Sequence, residues 1–190
     1  MTRAYVEDEQ FEAIDFQKNH LAKGEYENCM FRNCQLSECD FNEIIFVECE
    51  FQDCDFSMAK LRSASFRDVK FTRCKLLGLR FDECHPLLLS FSFEGCILNF
   101  SSFYKLKMKG TLFKDCKLEE VDFVETDLTN ARFEHCDLKL SSFENTILTG
   151  ADLRTAINYA IDPQKNRIKK AKFSMPGVIG LLDQYDIIIE

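Results

Sequence analysis

The side chains with the most chemical potential in this chain are its ten cysteines. Cys29, Cys34 and Cys39 are five residues apart, as are Cys49 and Cys54; Cys74, Cys84, Cys96, Cys116 and Cys136 follow. Zinc sites draw cysteine pairs from shorter spacings that close a tight knuckle on the ion, so a spacing of five points away from a metal centre. His20, His85 and His135 fall in separate segments, and the pattern places no Cys or Ser nucleophile beside any of them. The acids are abundant but spread out, and seven scattered glycines make no phosphate-cradling loop. Nothing here assembles a catalytic, metal or cofactor site, and the chain reads as a binding protein rather than an enzyme.

The spacing of five is not special to the cysteines. From Phe11 to Phe81 every fifth residue is Phe, Leu or Tyr, and after a slip of two residues the run resumes from Phe93 to Leu153, with Met108 its one exception. A period of five fits neither a helix nor a flat strand. It fits a chain that turns a corner every five residues and stacks on itself. Two residues before a large centre the side chain is usually small: Cys, Ala, Ser or Thr. Large and small side chains then fill a narrow tube at close packing, with the cysteines as buried filler. The remaining positions are mostly charged or polar and face water.

Ala151-Asp152-Leu153-Arg154-Thr155 carries this unit in full, and Cys136-Asp137-Leu138-Lys139-Leu140 and Cys39-Asp40-Phe41-Asn42-Glu43 are variants. On these segments the chain resembles the pentapeptide-repeat family. The resemblance implies an all-β fold: a right-handed quadrilateral parallel β-helix with four pentapeptides to a coil, the hand that parallel crossovers also favour. At a ladder spacing of ~4.8 Å, seven to eight coils make a rod of roughly 35 Å. The columns keep register only if the two extra residues form a local bulge near 85–92, at the Pro86 corner. Residues 1–160 are thus expected to form the solenoid and 161–190 a C-terminal segment.

In that segment the repeat stops, and Asp162-Pro163 marks a turn. Ser174-Met175-Pro176-Gly177 reads as a helix start, and Ile187-Ile188-Ile189 as a terminal strand. The end of a solenoid needs a cover, so a short helical cap is expected. The tail carries more apolar residues than a small cap needs. In the resembling family such tails often pair two rods, which points to a homodimer through Phe173, Val178, Ile179, Leu181, Leu182 and Tyr185; the common two-fold symmetry of homo-oligomers agrees.

The net charge of −8 conceals bands. Residues 4–59 carry fourteen acids against three bases, residues 60–114 eleven bases against four acids, and residues 115–162 eleven acids against four bases. Such banding makes a field that a partner can recognise. The first residues hold no apolar signal core and no run approaches membrane-spanning length, so a cytoplasmic location with reduced thiols is expected. The overall acidic field opposes direct nucleic-acid binding through Lys105, Lys107, Lys109 and Lys114.

In size, charge sign and apolar tail the chain resembles the quinolone-resistance (Qnr) group, whose members are DNA-mimicking rods that bind DNA gyrase. The resemblance implies a non-enzymatic modulator of gyrase or of topoisomerase IV, with Glu38, Asp40, Glu43, Glu48, Glu50, Asp53 and Asp55 standing in for phosphates. Leu87, Leu88 and Leu89 at the Pro86 corner form a second candidate contact, unless they fold back to fill the bulge. The chain departs from that group in lacking long projecting loops and in its basic middle band. The alternative is an adaptor solenoid that binds another protein through its charge bands and this corner.

Overall fold

The computed structural model describes residues 3–87, 89–185 and 187–188. Its strands are short and all parallel. β1 (Ala4–Glu7), β3 (Gly24–Glu27), β5 (Ile45–Val47) and β7 (Ser65–Arg67) form a four-stranded sheet on the first face. β2 (Gln10–Glu12), β4 (Met30–Arg32), β6 (Glu50–Gln52), β8 (Val69–Thr72), β9 (Phe91–Glu94), β10 (Leu112–Lys114) and β11 (Arg132–Glu134) form a seven-stranded sheet on the second. Isolated bridges hold the other two faces. One runs Asp15–Gln35–Asp55–Lys75–Ile97–Lys117–Asp137–Ile157, and the other includes Asp40–Lys60 and Arg80–Ser102–Asp122–Ser142. Phe11, Phe31, Phe51 and Phe71 pair in turn, so one coil is twenty residues. The expected right-handed quadrilateral β-helix is the fold.

The large centres fill the tube. Phe51, Phe71, Phe93, Phe113 and Phe133 are at most 1% exposed. Their rings stack at 5.3, 5.4, 5.2 and 5.0 Å. Rings from neighbouring faces meet edge to face, as Phe46 does Phe51 at 5.2 Å and 82°. Both arrangements are the ones the ring quadrupole favours.

The corners are made by backbone conformation. The second residue after a centre takes positive φ at Glu38, Glu43, Glu48, Asp53 and most later corners, and with Asn158 twenty-three non-glycine residues among those described have positive φ. Left-handed backbone costs an L-residue energy, least for Asn and Asp as single residues. Gly78, Gly95, Gly110 and Gly150 occupy the same position.

The cysteines do more than fill space. Eight thiols, those of Cys29, Cys34, Cys49, Cys54, Cys74, Cys96, Cys116 and Cys136, donate to the carbonyl of a strand centre in the preceding coil, at 3.2–3.6 Å. Where Ala59, Ala64, Ala131 or Ala151 takes this position, the centre's carbonyl below instead accepts its own turn's N–H, as Leu36 does from Cys39. The thiol thus leaves an extended strand beneath it, and the alanine a closed turn. None of the ten cysteines is bridged; nine are buried and Cys39 is half-buried.

The slip is local. Phe71 pairs with Phe93, an offset of twenty-two, and the ladder is in order on both sides. His85 N–H donates to Ala64 and Ser90 N–H to Phe66, and between them Pro86, Leu87 and Leu89 are outside the ladder. Pro86 has no N–H to lend it. Phe91 turns its ring against Phe66 at 5.6 Å and Phe81 at 5.3 Å and fills the gap in the column. Leu89 packs against the core, whereas Leu87 is 57% exposed. Leu88 lies outside the described residues.

The tail bears out the short helical cap and corrects two other expectations. Pairing continues past residue 160, with Ile147 bridged to Arg167 and Asp152 to Lys172, so coil geometry outlasts the sequence period. The helical segment is two 3₁₀ turns, Pro176–Leu181 and Asp183–Tyr185. Gly177 and Gly180 weaken an α-helix there, and both are needed for contact. A Cβ on Gly180 would fall 2.1 Å from the carbonyl oxygen of Tyr159, and one on Gly177 2.1 Å from its hydroxyl. Ser174 Oγ does accept from the Gly177 N–H at 3.1 Å. Ile187 and Ile188 are not in a strand, and Ile189 lies outside the described residues.

Candidate functional site

Glu38, Glu43, Glu48 and Asp53 are left-handed corner residues, one at each of the four corners of a single coil. Asp40, Glu50 and Asp55 each precede a buried centre, Phe41, Phe51 or Phe56, and project from three different faces. The structure therefore arranges the seven acids as a collar around the rod, not as one patch. A partner approaching from one side meets part of it.

The basic band divides the collar again. Lys70 Nζ lies 2.8 Å from Glu50, and Lys75 lies 3.7 Å from Asp55. Arg73 clamps Asp53 with Nε to Oδ1 at 2.8 Å and Nη2 to Oδ2 at 2.7 Å. Each pair joins residues twenty apart, because a parallel coil sets position i over i+20. The Arg73 guanidinium holds the Asp53 carboxyl below its ordinary range, and Glu50 raises Lys70. Within the basic band Glu94 pairs with Lys114 at 2.6 Å, and at its far edge Lys105 reaches Glu125 at 3.5 Å and Lys109 reaches Asp127 at 3.4 Å. Glu38, Asp40, Glu43 and Glu48 have no ion-pair partner among the described residues.

Glu38 and Asp40 also line a cleft of about 550 Å³ at the N-terminal end, with Phe16, His20, Leu21 and Cys39. Burial raises the Cys39 thiol, with a further push from Asp15, so it is not an activated nucleophile. His135 Nδ1 is 3.5 Å from Asp115, on a different part of the rod.

Of the tail residues, Phe173 and Leu181 pack against the core, and Phe173 meets Tyr159 at 5.8 Å. Leu182 is half-buried. Val178, Ile179 and Tyr185 are 39%, 55% and 50% exposed. One apolar feature was not read from the sequence. Met58, Phe100 and Leu140 are exposed at the corner between the third and fourth faces, in the left-handed conformation that polar residues or glycine usually fill.

A family profile described as a pentapeptide repeat region matches residues 24–92 and 88–158. The chain is a pentapeptide-repeat protein. No curated protein matches its sequence. Among solved structures, full-length QnrB1, described as a plasmid-mediated fluoroquinolone resistance protein, is similar at a TM-score of 0.50 and 17% identity, over 97% of this chain and 100% of that one. A trypsin-treated form of QnrB1 gives 0.50 and 17% over 99% and 98%. HetL, a pentapeptide-repeat protein of the cyanobacterium Nostoc involved in heterocyst differentiation regulation, gives 0.47 and 15% over 90% and 87%. At 17% identity the likeness to QnrB1 shows the shared solenoid fold of this pentapeptide-repeat protein.

Proposed function

We propose that this pentapeptide-repeat protein is a non-enzymatic binding protein that engages a type II topoisomerase, DNA gyrase or topoisomerase IV, at the surface that grips DNA. The observation that carries the reading is the set of acids without an ion-pair partner among the described residues, Glu38, Asp40, Glu43 and Glu48, on a narrow rod whose residues 4–59 carry fourteen acids against three bases. Fold similarity to a fluoroquinolone resistance protein supports it, and protection against quinolones is the corresponding role. The active form is a homodimer joined through Val178, Ile179 and Tyr185, and the partner sets a cytoplasmic location. Among the described residues no helix is long and apolar enough to cross a membrane.

A gyrase supercoiling assay with and without a quinolone tests the reading. The protein should alter supercoiling or relieve the drug's inhibition, and the effect should fade as salt screens the contact. No effect on either enzyme and no binding at low salt would remove the reading.

A second reading, an adaptor solenoid, is favoured by the exposed corner of Met58, Phe100 and Leu140 together with Leu87. Isolated apolar side chains are ordinary on a surface, but three held at left-handed corners carry both strain and exposure. Loss of topoisomerase binding with retained protein–protein contacts at this corner would move the assignment to the adaptor.

A further inference from the structure

The first face carries a second cleft, of about 320 Å³, where the sheet stops. β7 is the last strand of that sheet: above it His85 N–H donates to Ala64 and Ser90 N–H to Phe66, and Pro86, Leu87 and Leu89 are in no strand. Ser65 and Arg67 flank the buried Phe66, so both side chains leave β7 on its outer side. Both line the cleft with Ile45 and His85, and Arg3, Glu43 and Ser63 complete its lining.

Two polar groups in this cleft are unsatisfied. Ser65 is 4% exposed, yet its hydroxyl has no hydrogen-bond partner among the described residues. The Nε of Arg67 is likewise buried and unpartnered. Buried donors without partners are rare and costly in native proteins. They recur here on alternate residues of one strand, aimed into one cleft. His85 adds a third donor. Its Nδ1 accepts from the Leu87 N–H at 3.3 Å, which leaves the proton on Nε2.

We propose that this cleft binds a small monocarboxylate. The three donors suit an oxyanion, and a guanidinium favours planar carboxylate geometry. Arg3 and Arg67 against Glu43 leave one net positive charge, which matches a monoanion; a dianionic phosphate would be left facing Glu43. The Ile45 wall gives room for a short apolar group beside the carboxylate. The carboxylate can belong to a free organic acid or to the end of a polypeptide chain.

The test is a chemical-shift titration of the whole ¹⁵N-labelled protein at constant ionic strength with propionate, N-acetylalanine, inorganic phosphate and neutral propionamide. The expected result is saturable movement of the Ser65, Arg67 and His85 signals with one or both carboxylates. Tighter binding of propionate assigns a free acid, and of N-acetylalanine a chain terminus. Arg67→Gln should weaken binding about tenfold, the effect of losing a charge-assisted hydrogen bond. Ser65→Ala should weaken binding while leaving the melting temperature unchanged or raised, since it removes an unpaired buried hydroxyl. The proposal is overturned if neither carboxylate moves these signals, if phosphate or propionamide moves them equally, or if Ser65→Ala lowers the melting temperature and leaves the titration unchanged.

Discussion

The Cys74 thiol lies 3.3 Å from the carbonyl oxygen of Phe51, the residue twenty-three positions earlier and one coil below. The same relation holds from Cys54 to Phe31 at 3.4 Å and from Cys136 to Phe113 at 3.3 Å. A column of thiols therefore caps a column of buried carbonyls.

Exchange at this position should follow the hydrogen bond as well as the volume. Cys74→Ser keeps a donor, as Ser101 does toward Leu76 at 2.7 Å, and should cost little. Cys74→Ala strips the donor and opens space, and should cost ~1–3 kcal/mol through the orphaned carbonyl alone. Urea unfolding of both variants checks this; equal losses would mean that the thiol acts by volume only.

Phe71 is 1% exposed and its ring is stacked between those of Phe51 and Phe93. Phe71→Ala should destabilise the solenoid by ~3–5 kcal/mol, through transfer and cavity terms together. A midpoint shift much smaller than this at an unchanged denaturant slope would mean that the column collapses to fill the gap.

The buried thiols should make the fold sensitive to base. Burial pushes Cys49 up to about 12 and also raises Cys84. Hydrogen bonding with the thiols of Cys54 and Cys96, and then burial, raises Cys74. In the unfolded chain a thiol ionises near ~8.5. The folded state thus holds more protons at alkaline pH. The stability from these groups is fully present below the unfolded value and is lost as pH rises toward the folded ones. Melting temperature should hold from pH 7 to 8 and fall above pH ~9, and replacing Cys49 by Ser should blunt the fall. A flat profile to pH ~11 would contradict it.

Neutralising Glu38, Asp40, Glu43 and Glu48 together should weaken topoisomerase binding with little change in melting temperature, because these carboxylates have no ion-pair partner among the described residues. Neutralising Glu50, Asp53 and Asp55 should weaken binding less, since Lys70, Arg73 and Lys75 already offset them. Its stability cost should be at most ~1 kcal/mol per exposed pair. Surface-plasmon binding at two salt concentrations separates the two sets. Equal losses would place the contact across the whole collar.

Removal of residues 174–190 should leave a monomer or an aggregate, as the last coil loses its cover and the two-fold contact is lost. Gly180→Ala is the milder probe: it drives the cap off Tyr159 while keeping its composition. Sedimentation velocity reads both. An intact protein that sediments as a monomer at micromolar concentration would make the tail a cap alone.

The solenoid was legible in the sequence because each coil repeats the same demand, a large centre and a small neighbour every five residues. One-dimensional periodicity carries over directly when every unit contacts only the coils beside it. The same logic placed the bulge at Pro86, where register had to be recovered. The sequence also showed which residues are acidic. It did not show that Glu38, Glu43, Glu48 and Asp53 stand at four separate corners, nor that Arg73 would clamp Asp53, because both depend on the coil's closure and its i to i+20 neighbours. Phe91, in a small-residue position, joined the core only because the bulge left a gap for its ring. Ser65 stands at an outward position of the repeat, yet in the fold it is buried, 4% exposed, in a cleft that His85 from the next coil also lines. The period set the tube, and three-dimensional neighbours, twenty or more residues away along the chain, decided which of its surface groups remain free to bind.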